Sequence, residues 1–162
     1  MGYTSVRPAD DIEEVMRTYG NMLFRLCLIT LGNANDAEDA VQETLMKYLQ
    51  KKPVFADAEH EKAWLLKVAA NKCRDMLRFQ HRHPNINMEE VIEFTQEIPY
   101  SRILDALMTL PEKYKTVLVL YYVEEYRVND IAKLIGRTSS AVKMRLQKGR
   151  KLLKEAYEKE WQ

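Results

Sequence analysis

Apolar residues recur along most of this chain at intervals of three and four, the spacing that lines one face of an α-helix. Ile12, Val15, Met16, Tyr19, Leu23, Leu26 and Ile29 mark a first helix. It starts after Asp10 or Asp11, either of which can cap free amides, and Gly32-Asn33 ends it. Gly20 interrupts it at a cost of about 1 kcal/mol. A second helix begins near Asn35 or Asp36, buries Ala37, Ala40, Val41, Thr44, Leu45, Tyr48 and Leu49, and is closed by Pro53. A third runs from about Glu59 to Arg82 and stops before Pro84.

The pattern weakens between Pro84 and about Pro99, where only Met88 to Phe94 could make a short helix. Periodicity returns with a helix over about Tyr100–Leu110 and another starting near Pro111. A short helix follows at Asn129–Ile135, then a long one from about Ser139. The expected fold is all-α. Two small helical domains, residues 1–83 and 100–162, are joined by a linker at 84–99. Five Gly and five Pro in 162 residues, with 46% hydrophobic and 30% charged positions, agree with a helical globular protein.

Charge changes the picture because it is segregated. The net charge is only +1, yet Tyr126 to Gln162 holds ten Lys/Arg against four Asp/Glu. Ala34 to Glu61 holds three against seven, and Pro84 to Ser101 has four Glu and no Lys or Arg. Separate surfaces for separate partners are implied. Cys27 and Cys73 lack neighbours at metal-ligand spacing and read as buried reduced thiols. The most apolar stretch, Met22 to Leu31, is too short to span a bilayer and carries Arg25. With no signal peptide evident, a cytoplasmic protein without membrane insertion is expected. His60, His81 and His83 form no metal or triad constellation, and no Gly-rich phosphate loop is present. No enzyme activity, metal or cofactor is expected.

Val128 to Gly136 reads as a short helix with Asn129 as its cap and Gly136 as a left-handed stop. Arg137-Thr138 turn the chain, and Thr138 or Ser139 caps the next helix, so the segment is a helix-turn-helix pattern. On that last helix Val142, Leu146, Gly149 and Leu153 form the apolar stripe. Lys143, Met144, Gln147 and Lys148 share the opposite side, where Met144 is an apolar residue that core packing does not explain. Arg145 and Arg150 point further round, toward phosphate or protein. The third helix also separates its faces. Leu65, Val68, Ala69, Cys73 and Met76 lie opposite a stripe of Lys67, Asn71, Arg74, Arg78 and Arg82. Basic side chains so arranged track phosphates, and Asn71 offers a base-reading amide. The second helix is acidic in its first turns, with Asp36, Glu38, Asp39, Gln42 and Glu43, which suits a protein partner better than DNA.

These blocks, in this order, resemble the bacterial RNA polymerase sigma factors of the extracytoplasmic-function (ECF) type. Asp36 to Glu43 is similar to the family's polymerase-binding helix. Ala63-Trp64-Leu65 with Asn71, Arg74-Asp75 and Arg78 is similar to its −10 helix. Leu110 to Tyr114 opens the second domain as the family's does, and Ile131 to Gly136 with Val142 to Leu146 is similar to its −35 reader. The resemblance covers roughly Tyr19 to Ala156. It implies that Asp36, Glu38, Asp39, Gln42 and Leu45 bind core RNA polymerase. It implies that Phe55, Lys67, Asn71, Arg74, Arg78 and Arg82 serve the −10 element, with Phe55 and Asn71 near an unstacked base. Ser139, Ser140, Lys143, Met144, Gln147 and Lys148 would serve the −35 element. Promoter DNA and an anti-sigma protein are the other implied partners, and the free chain is expected to be a monomer. The acidic linker would thread toward the polymerase active site. The family often has Thr where this chain has Ala141, a departure at one helix-start phosphate contact, and no further C-terminal domain is expected. A stand-alone helix-turn-helix regulator, binding an operator as a dimer, explains only the C-terminal half. A helical adaptor that never touches DNA leaves the two basic faces without a purpose.

Overall fold

The computed structural model describes residues 11–51, 53–80 and 102–159. The linker at 84–99, its Met88–Phe94 segment, the expected helix start at Tyr100, and Arg82 lie outside those residues. Among the described residues all regular structure is helical.

The first unit is a bundle of α1 (Asp11–Leu31), α2 (Ala34–Lys51) and α3 (Ala58–Gln80), each packed on the other two. Gly32, at φ 70°, reverses the chain after α1. The side chain that caps α2 is Asn33, whose Oδ1 accepts the Asp36 amide at 3.0 Å, two residues ahead of the expected start. Asp57 caps α3 in the same way, its Oδ1 accepting the His60 amide at 2.8 Å. Leu23, Leu26, Ala37, Ala40, Leu65, Leu66 and Ala69 fill the centre. Cys27 of α1 and Cys73 of α3 are buried free thiols; a hydrogen bond with Cys27, followed by burial, pushes the Cys73 thiol up.

The second unit holds α4 (Arg102–Met108), α5 (Glu112–Leu118), α6 (Val128–Ile135) and α7 (Ser139–Lys159), with α7 packed on the other three. The chain leaves α5 through a widened π-helical turn at Val119–Val123, closed by the Glu124 amide on the Val119 carbonyl at 3.0 Å. Gly136 adopts φ 66°, ψ 39°, the left-handed stop its sequence position requires. Thr138 Oγ1 then accepts the Ala141 amide at 3.1 Å and caps α7. The expected cap of α6 is corrected. Arg127 occupies that position without a side-chain bond, and Asn129 Oδ1 instead accepts the Ser139 hydroxyl at 2.6 Å across the turn. That bond ties the two helices of the motif together. At Gly149 an added Cβ would come within 3.3 Å of Leu118, so the glycine allows α7 to lie close on α5.

The two units pack on each other, α5 against α1 and α6 against α3. The second half of α1 is therefore covered on every side. This explains the apolar stretch from Met22 to Leu31: Leu26, Cys27, Leu28 and Ile29 are all fully buried. No described helix is long and apolar enough to cross a membrane.

Polar residues pin the contact between the units. Buried Lys115 of α5 donates from Nζ to the carbonyls of Ile29, at 2.7 Å, and Thr30, at 3.1 Å. These are among the last carbonyls of α1, which have no partner within their own helix, and a cation also suits the negative end of the helix dipole. Arg25 of α1 pairs with Glu124 at 2.6 Å, with both side chains under a tenth exposed, and Lys62 of α3 approaches the same carboxylate at 3.7 Å. Burial lowers the Lys115 ammonium to about 8, partly opposed by the charge of Glu112.

Candidate nucleic-acid interface

The structure carries two basic helix faces and one acidic face, and they differ in exposure. On α7, Ser140, Lys143, Met144, Gln147 and Lys148 are all exposed along the first three turns. Val142, Leu146 and Gly149 turn inward. Met144 is 69% exposed, an apolar side chain standing in water on a basic surface. Ser139 is half-buried because its hydroxyl is engaged by Asn129. Arg150 is used within the protein. Its Nε donates to the Tyr122 hydroxyl at 2.7 Å, and its guanidinium lies over the Tyr121 and Tyr122 rings.

The α3 face is divided. Lys67 and Arg78 are exposed, whereas Asn71 and Arg74 are half-buried and joined by an Arg74 Nη2 to Asn71 Oδ1 bond at 2.9 Å. The second unit lies over this stretch. One cleft between the units, of about 480 Å³, has Trp64 and Lys67 on one wall and Tyr126, Lys133 and Leu134 on the other. In it the Tyr126 phenol is raised, chiefly by burial and then by the charge of Glu59. A smaller cleft beside Asn71 and Arg74 is walled by α5 and α7.

Phe55 is only 2% exposed. Its ring is enclosed by Tyr48, His60 and Trp64 at centroid distances of 6.0, 5.3 and 6.0 Å, so it offers no face to a ligand here. It shapes the loop after Pro53 from beneath. Tyr48 beside it donates its hydroxyl to the buried Glu61 at 2.7 Å. Phe79, which the sequence pattern did not single out, is 87% exposed one residue past Arg78.

On α2, Glu38, Asp39 and Gln42 are exposed and Asp36 is half-buried. Leu45 turns into the core at 9% exposure; the apolar side chain offered on this helix is Met46, at 53%. Glu43 is bridged by Lys72 of α3 at 2.9 Å, which fixes the acidic helix against the basic one. Arg25, Lys115 and Glu124 are the other residues that sequence patterns missed. A charge inside an apolar stretch, as at Arg25, was the one available signal, since such a group needs a partner when buried.

Comparison with known proteins bears on these faces. The family model for "Sigma-70 region 2" matches residues 15–83, and that for "Sigma-70, region 4" matches residues 100–153. RNA polymerase sigma factor SigV of Bacillus subtilis is 31% identical over 136 residues, covering 81% of each chain. ECF RNA polymerase sigma factor SigW of the same organism is 26% identical over 166 residues, covering 90% of this chain and 88% of the relative. Among solved structures, RpoE of Bartonella quintana, in complex with the anti-sigma factor NepR, superposes with a TM-score of 0.70 at 19% identity. It covers 93% of this chain and 98% of the other. CnrH, in complex with the cytosolic domain of CnrY, gives 0.68 at 21% identity, with 93% and 90% covered. At these identities the superpositions speak for the fold.

Proposed function

Since the chain belongs to the sigma-70 family of RNA polymerase sigma factors, in its ECF branch, we propose a division of labour among its three faces. The protein binds core RNA polymerase and directs promoter-specific initiation. Residues 1–83 bind the polymerase and act at the −10 element, 84–99 connect, and 100–162 read the −35 element. On α2, Asp36, Glu38, Asp39 and Gln42 meet the polymerase, with Met46 supplying the apolar contact. On α3, Lys67, Arg74 and Arg78 hold −10 phosphates and Asn71 reads a base. On α7, Lys143 and Lys148 donate to guanine acceptors, Gln147 pairs with an adenine edge and Met144 lies against a thymine methyl. It works in the cytoplasm, catalyses no reaction itself, and takes an anti-sigma protein as a regulatory partner.

The observation that carries this reading is the α7 face. Four side chains that can read bases stand exposed together, on the turns that a helix-turn-helix presents to the major groove. The half-buried Asn71 and Arg74 add a condition: the second unit must move off α3 before they reach DNA. To test the reading, the protein is mixed with core polymerase and host genomic DNA, and the 5′ ends of transcripts are sequenced. Start sites should share two upstream motifs at fixed spacing. If no start depends on the protein, or the starts share no −35 motif, the reading is wrong.

A further inference from the structure

The smaller cleft between the units has an electrostatic imbalance that the −10 role proposed for Asn71 and Arg74 does not by itself explain. Its volume is about 200 Å³, and its wall includes Asn71, Arg74, Lys113, Arg137 and Arg145 with Glu112 as the one carboxylate. Glu112 is already engaged, accepting from the Thr116 hydroxyl at 3.1 Å. Among the described residues none of the three arginines makes an ion pair. Burial, and then the nearby charge of Arg137, push the Arg145 guanidinium below its ordinary value; Glu112 partly opposes this, and Arg74 adds to it. Arg74 is oriented by Asn71, while its Nε is buried with no hydrogen-bond partner.

Like charges gathered in a partly enclosed cleft repel, and the repulsion grows as the local dielectric falls. An anion among them reverses the sign of the interaction. Guanidinium groups present planar forks that match phosphoryl oxygens two at a time. The volume lies below the ~300–1,000 Å³ of ordinary small-molecule pockets, so a single phosphoryl group or diphosphate suits it better than a whole cofactor. The wall comes from both units, so a ligand held here bridges them.

We propose that this cleft binds a small phosphoryl oxyanion, of the phosphate or diphosphate class, and that the bound anion holds the two units together over the α3 face. The site forms in the free chain, so it is tested without polymerase, and its failure would leave the promoter-reading assignment standing.

The full-length protein is titrated with pyrophosphate at constant ionic strength, with chloride as the balancing ion. The arginine Nε–H resonances and the amide hydrogen exchange of α3 are followed. Saturable shifts of a few arginine resonances are expected, together with slower exchange in α3. Arg145→Gln and Arg137→Gln should each weaken binding about tenfold or more, as loss of a charge-assisted contact does, while Arg150→Gln binds as wild type. A parallel titration with a short single-stranded oligonucleotide separates free anion from nucleic-acid phosphate. Shifts that follow chloride equally, or that appear only with the oligonucleotide, overturn the proposal. So does wild-type affinity in the Arg145→Gln variant. Saturable wild-type binding with no slowing of α3 exchange would overturn the bridging role.

Discussion

The α3 stripe and the α7 face carry similar chemistry, cations with one amide among them, yet one is half covered and the other is bare. The difference lies in position. The face of α7 points away from the first unit, whereas the middle of α3 lies against α6 and the clefts between the units. The duplex reading proposed for α7 thus needs no rearrangement of the packed molecule, whereas the −10 role proposed for α3 would need the units to separate. Buried polar pins, Lys115 and the Arg25–Glu124 pair, lie across the contact between the units, beside its apolar packing.

The strongest way to break the contrast is Glu124→Ala. It removes the carboxylate that Arg25 and Lys62 share, and loss of one partner from a buried pair costs about 3–5 kcal/mol. A lower denaturant midpoint and faster amide exchange along residues 67–78 are expected. An unchanged midpoint with unchanged exchange would show that the ion pair does not hold the units together.

A pH titration sharpens it next. In the packed form Lys115 titrates at about 8, below its ordinary 10.5, so packing opposes its protonation. Separation binds the proton, and the packed form therefore gains stability as pH rises from 8 toward 10, by about 2–3 kcal/mol. Half-buried Tyr126, whose phenol is raised, acts in the opposite sense only above its unfolded value near ~10. Urea midpoints should climb over that window in wild type and stay flat in Lys115→Met. A flat wild-type profile would exclude Lys115 as the pin.

Promoter selection compares the two faces directly. Gln147→Ala should lose about 1–3 kcal/mol of discrimination at one −35 position, whereas Arg74→Ala with Arg78→Ala should lower open-complex yield on every promoter alike. Selection from randomised promoters reads both outcomes. Identical selected −35 motifs for wild type and Gln147→Ala would reduce the α7 face to phosphate contacts. The smallest effect on folding is expected at Asp39→Lys, an exposed change worth within ~0.5 kcal/mol, which should nonetheless weaken pull-down of core polymerase.

Much of this was legible from local pattern. The helix-turn-helix followed from period and from Gly136, whose left-handed backbone excludes most other residues. Caps were less legible because several polar residues compete for the same amides. Asn33, read only as part of the end of the first helix, caps the second, and Asn129 was drawn away by Ser139. Phe55 and Leu45 matched family positions, but a motif does not say which way a side chain turns when core space lies beneath it. The pins were out of reach for another reason. Arg25 and Glu124 are 99 residues apart, and Lys115 lies 86 from Ile29, whereas periodicity reports only on near neighbours.

That last separation bears on how the protein is made. The final turn of α1 is completed by a side chain synthesised 86 residues later. At translation rates of ~5–20 residues per second, roughly 4–17 s pass before Lys115 exists. During that interval Lys115 cannot reach the Ile29 and Thr30 carbonyls, and α3 has no second unit over it. Each newborn chain therefore begins with its α3 face bare, and acquires its cover only after the residues of the second unit have been made.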